Sequence, residues 1–192
     1  MQKPEHMVVV QNMNNTFVIK FFVLIPLLFT GLLNANEITD KTNQDFKLNF
    51  NTVTNEQWQQ TLAGYKGTVL VVDMWATWCI SCIERFPHMV QMNKDFKGKG
   101  VKFVSLLLED PEEPEAIERA KGFLVKQQAD FEHYFMNENL MSSFDKLDLL
   151  GIPAVFIYGA DGELIHRLTG DNPNKQFTEK DIENAVNELL EN

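Results

Sequence analysis

The sequence predicts an α/β fold: a mixed β-sheet flanked by helices on both faces. The apolar, β-branched run Val69–Val72 has the composition of a buried strand and leads through a Trp-rich turn into a helix. Apolar runs of strand length then alternate with segments of helical periodicity. Near the C-terminus, Asp161-Gly162 is a hairpin signal between two strands. Counted from Val69 and without the two short elements before the hairpin, the order β-α-β-α-β-β-α predicts two parallel crossovers, a hairpin and a closing helix.

The first elements precede the strand at Val69. Phe46–Phe50 alternates apolar and polar residues and predicts a short edge strand. Thr54 and Gln57 form a capping box for a helix that Gly64 ends.

The helix after the Trp-rich turn extends to about Phe96 and contains Pro87, which predicts a bend because proline removes a helical hydrogen bond. The later elements, in chain order, are a strand at Val101–Leu108, a helix from the acidic turn Asp110–Pro114 to about Gln128, a short strand at Phe131–Met136, a short helix at Leu140–Lys146, the hairpin strands Ala154–Tyr158 and Glu163–Leu168, and a helix opened by Thr178.

Composition excludes several classes of protein. The chain has 192 residues and a net charge of −10, which argues against non-specific nucleic-acid binding because that needs a basic face. Two cysteines are too few for a disulfide-stapled scaffold or for the four ligands of a closed zinc site. We therefore predict no metal site, no cofactor and no nucleic-acid partner.

The N-terminal segment predicts the compartment. Phe21–Leu33 is an apolar run followed by the small residue Ala35, which is the pattern of a secretory signal. Its 13 residues are short for a membrane span, which needs about 20. We expect a periplasmic or otherwise extracytoplasmic protein, with an uncleaved membrane anchor as the alternative to cleavage. The predicted organisation is a signal peptide over residues 1–35, a linker over 36–45 and a folded domain over 46–192.

The candidate reactive groups are Cys79 and Cys82, the only two cysteines. Two intervening residues at the start of a helix put both sulfurs on one face, within reach of a disulfide. The helix N-terminus favours the thiolate of Cys79, which is therefore the expected nucleophile. Cys82 is expected to resolve the mixed disulfide. The alternatives are a structural disulfide, for which so short a loop is a poor staple, and a partial metal site. Ile83 after Cys82 excludes a haem-attachment motif.

Three motifs together resemble the thioredoxin superfamily. They are Val71–Cys82, which reads Val-Val-Asp-Met-Trp-Ala-Thr-Trp-Cys-x-x-Cys, then Gly151–Pro153 before a strand, and Asp161-Gly162 in a hairpin. The signal and the inserted element between residues 110 and 136 are similar to the exported TlpA/ResA-type thiol–disulfide oxidoreductases. The resemblance covers about residues 46–191 and implies a thioredoxin-like mixed β-sheet.

The resemblance also implies roles for individual residues. Asp73 matches the buried acid of thioredoxins; burial in an apolar strand raises the pKa of its carboxyl, which would then take the proton from Cys82. The alternative for Asp73 is a polar residue tied to the backbone. Pro153 is expected to follow a cis peptide bond, with a plain trans turn as the alternative, and the backbone of Ile152 to pair with the substrate as an added strand. Trp78 is expected to cover the sulfurs and offer an apolar docking face.

Two positions depart from the family pattern. Ser81 precedes the second cysteine, where the family commonly has proline, and Arg85 stands where it often has glutamate. We expect Arg85 to be a solvated surface side chain, with stabilisation of a thiolate at Cys82, one turn earlier, as the alternative. We expect Glu109–Glu118 to be a solvated helix start. Surface or boundary positions are predicted for the histidines His88, His133 and His166.

Two functions follow from the sequence. The first is an exported thiol–disulfide oxidoreductase that reduces disulfides of substrate proteins through Cys79 and Cys82, with electrons from a membrane partner; a disulfide isomerase supplied in the same way is the alternative within this class. The second is a thioredoxin-fold binding or assembly module, a chaperone or metallochaperone, without redox turnover. A peroxidase is disfavoured because its usual Thr-x-x-Cys motif is absent: Thr77 is only two residues before Cys79.

Overall fold

The sheet has six strands in the order β1-β4-β3-β2-β5-β6, in a computed structural model that describes residues 46–171, 174 and 176–191. The elements are β1 (Phe50–Val53), α1 (Asn55–Ala63), β2 (Val69–Trp75), α2 (Ile80–Asp95), β3 (Val101–Leu107), α3 (Pro114–Lys126), β4 (Glu132–Met136), α4 (Leu140–Lys146), β5 (Ala154–Tyr158), β6 (Leu164–Thr169) and α5 (Glu179–Glu191). The predicted signal, anchor and linker lie outside the described residues and stay predictions. None of the described helices has the length and apolar character to span a bilayer.

The sheet is mixed, as predicted. β1, β4, β3 and β2 pair in parallel, whereas β5 pairs antiparallel with β2 and with β6. The turn between β5 and β6 contains Gly162 with a positive φ of 88°, which matches the hairpin signal. Because Met74 lies opposite Ala154, the last residues of β2 and the first residue of β5 meet at one edge of the sheet.

Helices cover both faces, because side chains of β2 alternate between two layers. Leu70, Val72 and Met74 pack in one cluster with residues of α1 and α4. Val69 and Val71 pack with α2 and α5 in a second cluster. The third cluster, which we call the cysteine cluster, joins Trp75 to residues of α2 and α3 and contains both cysteines: Trp75, Ala76, Cys79, Cys82, Phe86, Val90, Leu107, Ala120, Leu124, Ala129 and Phe135.

The predicted position of the first strand is wrong by four residues. The strand begins at Phe50, and residues 46–49 have no regular structure. The alternation over residues 46–50 reports burial instead, since Leu48 and Phe50 pack partly against the cysteine cluster. The hydrogen-bonding partner is β4, whose His133 lies opposite Phe50, and this parallel register fixes the strand at residues 50–53.

The predicted helix signals are largely confirmed. Thr54 and Gln57 form the capping box: the Thr54 N–H donates to Gln57 Oε1 at 2.8 Å, and the Gln57 N–H donates to Thr54 Oγ1 at 3.2 Å. Pro87 lies inside α2, which continues to Asp95. The bend at Pro87 stays a prediction.

Candidate active site

The cysteine pair lies at the N-terminus of α2, just after the turn that follows β2. Cys79 is the N-cap residue of α2, and its N–H donates to the carbonyl oxygen of Ala76 at 3.2 Å. The Cys82 N–H donates to Cys79 Sγ at 3.3 Å. The sulfurs are joined in a disulfide, with the two Cα atoms 5.3 Å apart. When this disulfide is reduced, the positive end of the helix dipole favours the thiolate of Cys79.

The disulfide is shielded, whereas its apolar neighbours are exposed. Cys79 is 6% exposed and Cys82 is fully buried. Trp78 on one side of Cys79 is 54% exposed, and Ile80 on the other is 74% exposed. Exposed apolar side chains therefore flank Cys79 on both sides in the chain, and Ile80 is one that its sequence context did not reveal.

The loop before β5 faces the same edge of the sheet. The Ile152–Pro153 peptide bond is cis, as expected from the resemblance. Ile152 packs against the cysteine cluster, and its backbone N–H and C=O make no hydrogen bond within the described part of the chain. The carbonyl oxygen of Pro153 accepts a hydrogen bond from the Gly170 N–H at 2.8 Å. A Cβ at residue 170 would lie 3.0 Å from Pro153 Cδ, so glycine permits this close approach.

Asp73 is buried in β2 and pairs with Arg85 of α2. It is 1% exposed, and its Oδ1 accepts a hydrogen bond from Arg85 Nη2. Burial raises the pKa of the Asp73 carboxyl, as predicted, although the Arg85 guanidinium acts in the opposite direction. Oxygen Oδ2 accepts no hydrogen bond from the described residues.

The prediction that Arg85 is a solvated surface residue is wrong. Its side chain is 7% exposed, and its guanidinium carbon lies 4.8 Å from the centroid of the Phe177 ring. A buried arginine needs a counter-charge, which Asp73 provides from the neighbouring strand. The sequence contained a signal for this pair, since a cation three residues after the second cysteine is on the same helix face as that cysteine.

Glu109 is not part of a solvated helix start. It is 2% exposed and accepts a hydrogen bond from the Thr77 N–H, in the turn that leads to Cys79. The Leu108 N–H donates to the carbonyl oxygen of Trp75, which continues the β2–β3 pairing and holds Glu109 beside this turn. Its position directly after the apolar run of β3 was the signal that could have revealed it.

His133 is also buried, contrary to the prediction, because β4 lies between β1 and β3 and is covered by helices. Its Nε2–H donates to the carbonyl oxygen of Ala129 at 2.9 Å, so Nδ1 accepts from the Ser105 hydroxyl at 2.7 Å. Burial lowers the pKa of His133 to about 4. His88 is exposed and His166 is partly buried, as predicted. In the part of the chain that the structure describes, no three His, Cys, Asp or Glu side chains are grouped to hold a metal ion.

A two-residue-spaced disulfide at a helix N-terminus, beside a cis-proline loop on a mixed sheet, defines the thioredoxin-like class of redox proteins. The comparisons with known proteins agree. The Redoxin family model matches residues 38–186, and the chain belongs to this family. It is a thiol–disulfide oxidoreductase, as the resemblance implied.

Relatives of similar length support this assignment. The chain is 23% identical over 166 residues to the thiol-disulfide oxidoreductase ResA of Bacillus cereus, which covers 83% of this chain and 92% of that protein. It is 25% identical over 169 residues to the thiol:disulfide interchange protein DsbE of Vibrio cholerae, and this match covers 82% of this chain and 85% of that protein.

Solved structures confirm the fold. The crystal structure of a thioredoxin-family thiol:disulfide interchange protein from Chlorobium tepidum has a TM-score of 0.55 and 24% identity, covering 67% of this chain and 83% of that one. The predicted thioredoxin-like sheet flanked by helices is thereby confirmed. The family implies substrate proteins that carry disulfides.

Proposed function

We propose that this oxidoreductase works outside the cytoplasm and reduces disulfides in substrate proteins, with Cys79 as the nucleophile and Cys82 as the resolving cysteine. The observation that carries the proposal is the position of the pair: Cys79 caps α2 and is the more exposed sulfur, while Cys82 is fully buried one turn further. An entering substrate sulfur meets Cys79 first. The N-terminal pattern that ends near Ala35 supports export.

The reaction has two displacements. The Cys79 thiolate attacks a substrate disulfide, forms a mixed disulfide and releases one substrate sulfur as a thiolate. Cys82 then attacks the Cys79 sulfur, which releases the second substrate sulfur and leaves the Cys79–Cys82 disulfide seen in the structure. Asp73 takes the proton of Cys82 during the second displacement.

Substrate recognition combines an apolar face with backbone pairing. Trp78 and Ile80 offer exposed apolar surface beside Cys79, and such aromatic anchors dominate binding at protein interfaces. The unpaired backbone groups of Ile152, held by the cis bond to Pro153, accept an extended substrate segment as an added strand. Recognition of this kind depends on the backbone of the substrate more than on its amino-acid sequence.

Turnover needs an electron donor. In an oxidising compartment the Cys79–Cys82 disulfide must be reduced again after each cycle. We propose a membrane protein as the donor, with the N-terminal segment of this chain as the tether wherever that segment is not cleaved.

The test uses cysteine variants of the full chain in reduction of a protein disulfide. Cys79→Ser is expected to abolish reduction, whereas Cys82→Ser is expected to accumulate the mixed disulfide with the substrate. Ser142→Ala, at a half-buried position of α4, is the matched control and should reduce at the wild-type rate. Circular dichroism checks that each variant is folded.

If Cys79→Ser still reduced the substrate disulfide, the role of Cys79 as the nucleophile would be refuted. Full biological activity of the Cys79→Ser/Cys82→Ser double variant would favour the binding-module alternative. For export, the chain and a form without residues 1–35 are compared in cell fractions. Equal amounts of both forms in the cytoplasm would contradict the proposed location.

A further inference from the structure

Arg85 is the only Lys or Arg side chain that is buried in the described part of the chain. Among the described residues, its guanidinium donates to one side chain, at Asp73 Oδ1, and the Phe177 ring covers it. Burying a cation is costly, so a buried arginine indicates a specific task for its charge.

The ion pair lies in the same interface, between β2 and α2, as the resolving cysteine. Cys82 and Arg85 are three residues apart on α2 and therefore point from the same face of the helix. Asp73 and Trp75 point from the same face of β2, and Trp75 packs with Cys82 in the cysteine cluster. Asp73, Arg85 and Cys82 thus share the interface between β2 and α2.

Arg85 is the charged group that acts on Asp73 in this interface. On β3, Ser105 lies opposite Asp73 but bonds to His133, which burial keeps neutral. On β5, the residue opposite Asp73 is the apolar Val155. α5 presents its apolar face, with Ile182, Ala185 and Val186 buried, and its first-turn Asp181 bonds to Thr178.

We propose that Arg85 is a positioning residue for the resolving step: its charge keeps Asp73 ionised, so that Oδ2 stands ready to accept the thiol proton of Cys82. The inference rests on the proposed role of Asp73 as the proton acceptor. The Arg85–Oδ1 hydrogen bond fixes one carboxylate oxygen and leaves the other without a partner among the described residues.

The step is balanced as follows. The proton of Cys82 moves to Asp73 Oδ2 while the Cys82 sulfur attacks the Cys79 sulfur. The Cys79–Cys82 bond forms, and the bond between Cys79 and the substrate sulfur breaks. Its electron pair leaves with the substrate sulfur, which is thereby reduced and takes a proton from solvent. Asp73 then returns its proton to solvent and pairs again with Arg85.

The charge of Arg85 sets the pH at which this acceptor is available. A buried carboxyl without a partner holds its proton near neutral pH and cannot accept another. Arginine stays charged at any pH of interest, so it favours the carboxylate throughout. Removing an opposite charge at this distance raises a carboxyl pKa by about 1–3 units. The acid limb of the pH–rate profile of the resolving step should therefore move to higher pH by that amount.

The experiment follows both displacements in the reduced full chain with a chromogenic aromatic disulfide. The first release of aromatic thiolate is bimolecular and reports attack by Cys79. The second is independent of reagent concentration and reports resolution by Cys82. Rates of both phases are measured from about pH 5 to pH 9 for the wild type, Arg85→Met, Arg85→Lys, Asp73→Asn and the double variant Asp73→Asn/Arg85→Met.

Arg85→Met is expected to move the acid limb of the second phase up by about 1–3 pH units and to leave the first phase in place. Arg85→Lys, which keeps a cation, should restore most of the second-phase profile. In the Asp73→Asn background, Arg85→Met should add no further shift. The double variant buries no unpaired charge, and circular dichroism is used to check that it is folded.

Three outcomes overturn the inference, and they are distinguishable. If Asp73→Asn changes the second phase but Arg85→Met does not, the role of Arg85 fails while that of Asp73 stands. If Arg85→Met still shifts the profile in the Asp73→Asn background, Arg85 acts on Cys82 directly. If Asp73→Asn leaves the second phase unchanged, the proposed role of Asp73 fails, and the role of Arg85 fails with it.

Discussion

The burial of His133 predicts that this fold loses stability in weak acid. Its ring is fully buried, and burial lowers its pKa from 6.5 to about 4. Because the folded state has the lower pKa, the unfolded state binds the proton first as the pH falls. The contribution of His133 is therefore fully present above about pH 6.5 and is lost progressively as the pH falls towards about 4.

The size of the effect follows from the two pKa values. The difference between 6.5 and about 4 is near 2.5 units, and each unit corresponds to about 1.4 kcal/mol, so the limiting loss is about 3 kcal/mol. Between about pH 8 and pH 5 the same linkage relation gives a loss of about 2 kcal/mol.

Urea unfolding of the oxidised protein at these two pH values measures the loss. His133→Gln cannot titrate, yet it can still accept from Ser105 and donate to Ala129. The free energy of unfolding of His133→Gln should therefore fall by about 2 kcal/mol less than that of the wild type between the two pH values. His88→Gln, at an exposed histidine, is the matched control and should follow the wild type. An identical pH dependence of His133→Gln and the wild type would refute the reasoning.

Two further predictions concern buried charges. Asp73→Asn leaves Arg85 without a counter-charge and should lower the free energy of unfolding by about 3–5 kcal/mol, whereas Asp73→Asn/Arg85→Met should recover most of that loss. Chemical unfolding of both variants decides this, and equal stability of the two would contradict a buried ion pair. Glu109→Ala leaves the Thr77 N–H without its partner and should cost about 1–3 kcal/mol, while Glu109→Gln, whose amide oxygen can accept, should cost less. Thermal unfolding measures both, and no difference between Ala and Gln would argue against the hydrogen bond.

Local signals in the sequence were sufficient for most elements of the fold. The capping box at Thr54 and the Asp161-Gly162 turn act over a few residues, and each was predictable from side-chain chemistry alone. The first strand was misplaced because alternation records which side chains are buried. Its hydrogen bonds depend on the register with β4, more than eighty residues away along the chain.

The cysteines of the candidate site were predictable, but their surroundings were not. Arg85 and Glu109 were expected at the surface because such residues are almost never fully buried unless they are paired. Their partners are distant in sequence: Arg85 and Asp73 are 12 residues apart, and Glu109 and Thr77 are 32 apart. Arg85 and Asp73 meet because α2 packs on β2, and Glu109 and Thr77 meet because β3 pairs with β2. The spacing of Arg85 from Cys82 and the position of Glu109 after β3 indicate burial only once this packing is known.

The antiparallel pairing of β2 and β5 has a consequence for protein engineering. The chain leaves β2 towards Cys79 at the edge where Pro153 enters β5, because the register places Met74 opposite Ala154. The dipeptide Ile80-Ser81 is exposed and takes no part in strand pairing, so exchanging it leaves the proline loop where it is. The dipeptide between the cysteines and the proline loop are therefore two sites that can be substituted separately. Exchange of Ile80-Ser81 changes the residues between the cysteines and, through Ile80, part of the apolar docking surface, whereas substitutions in the proline loop change the backbone groups offered to the substrate.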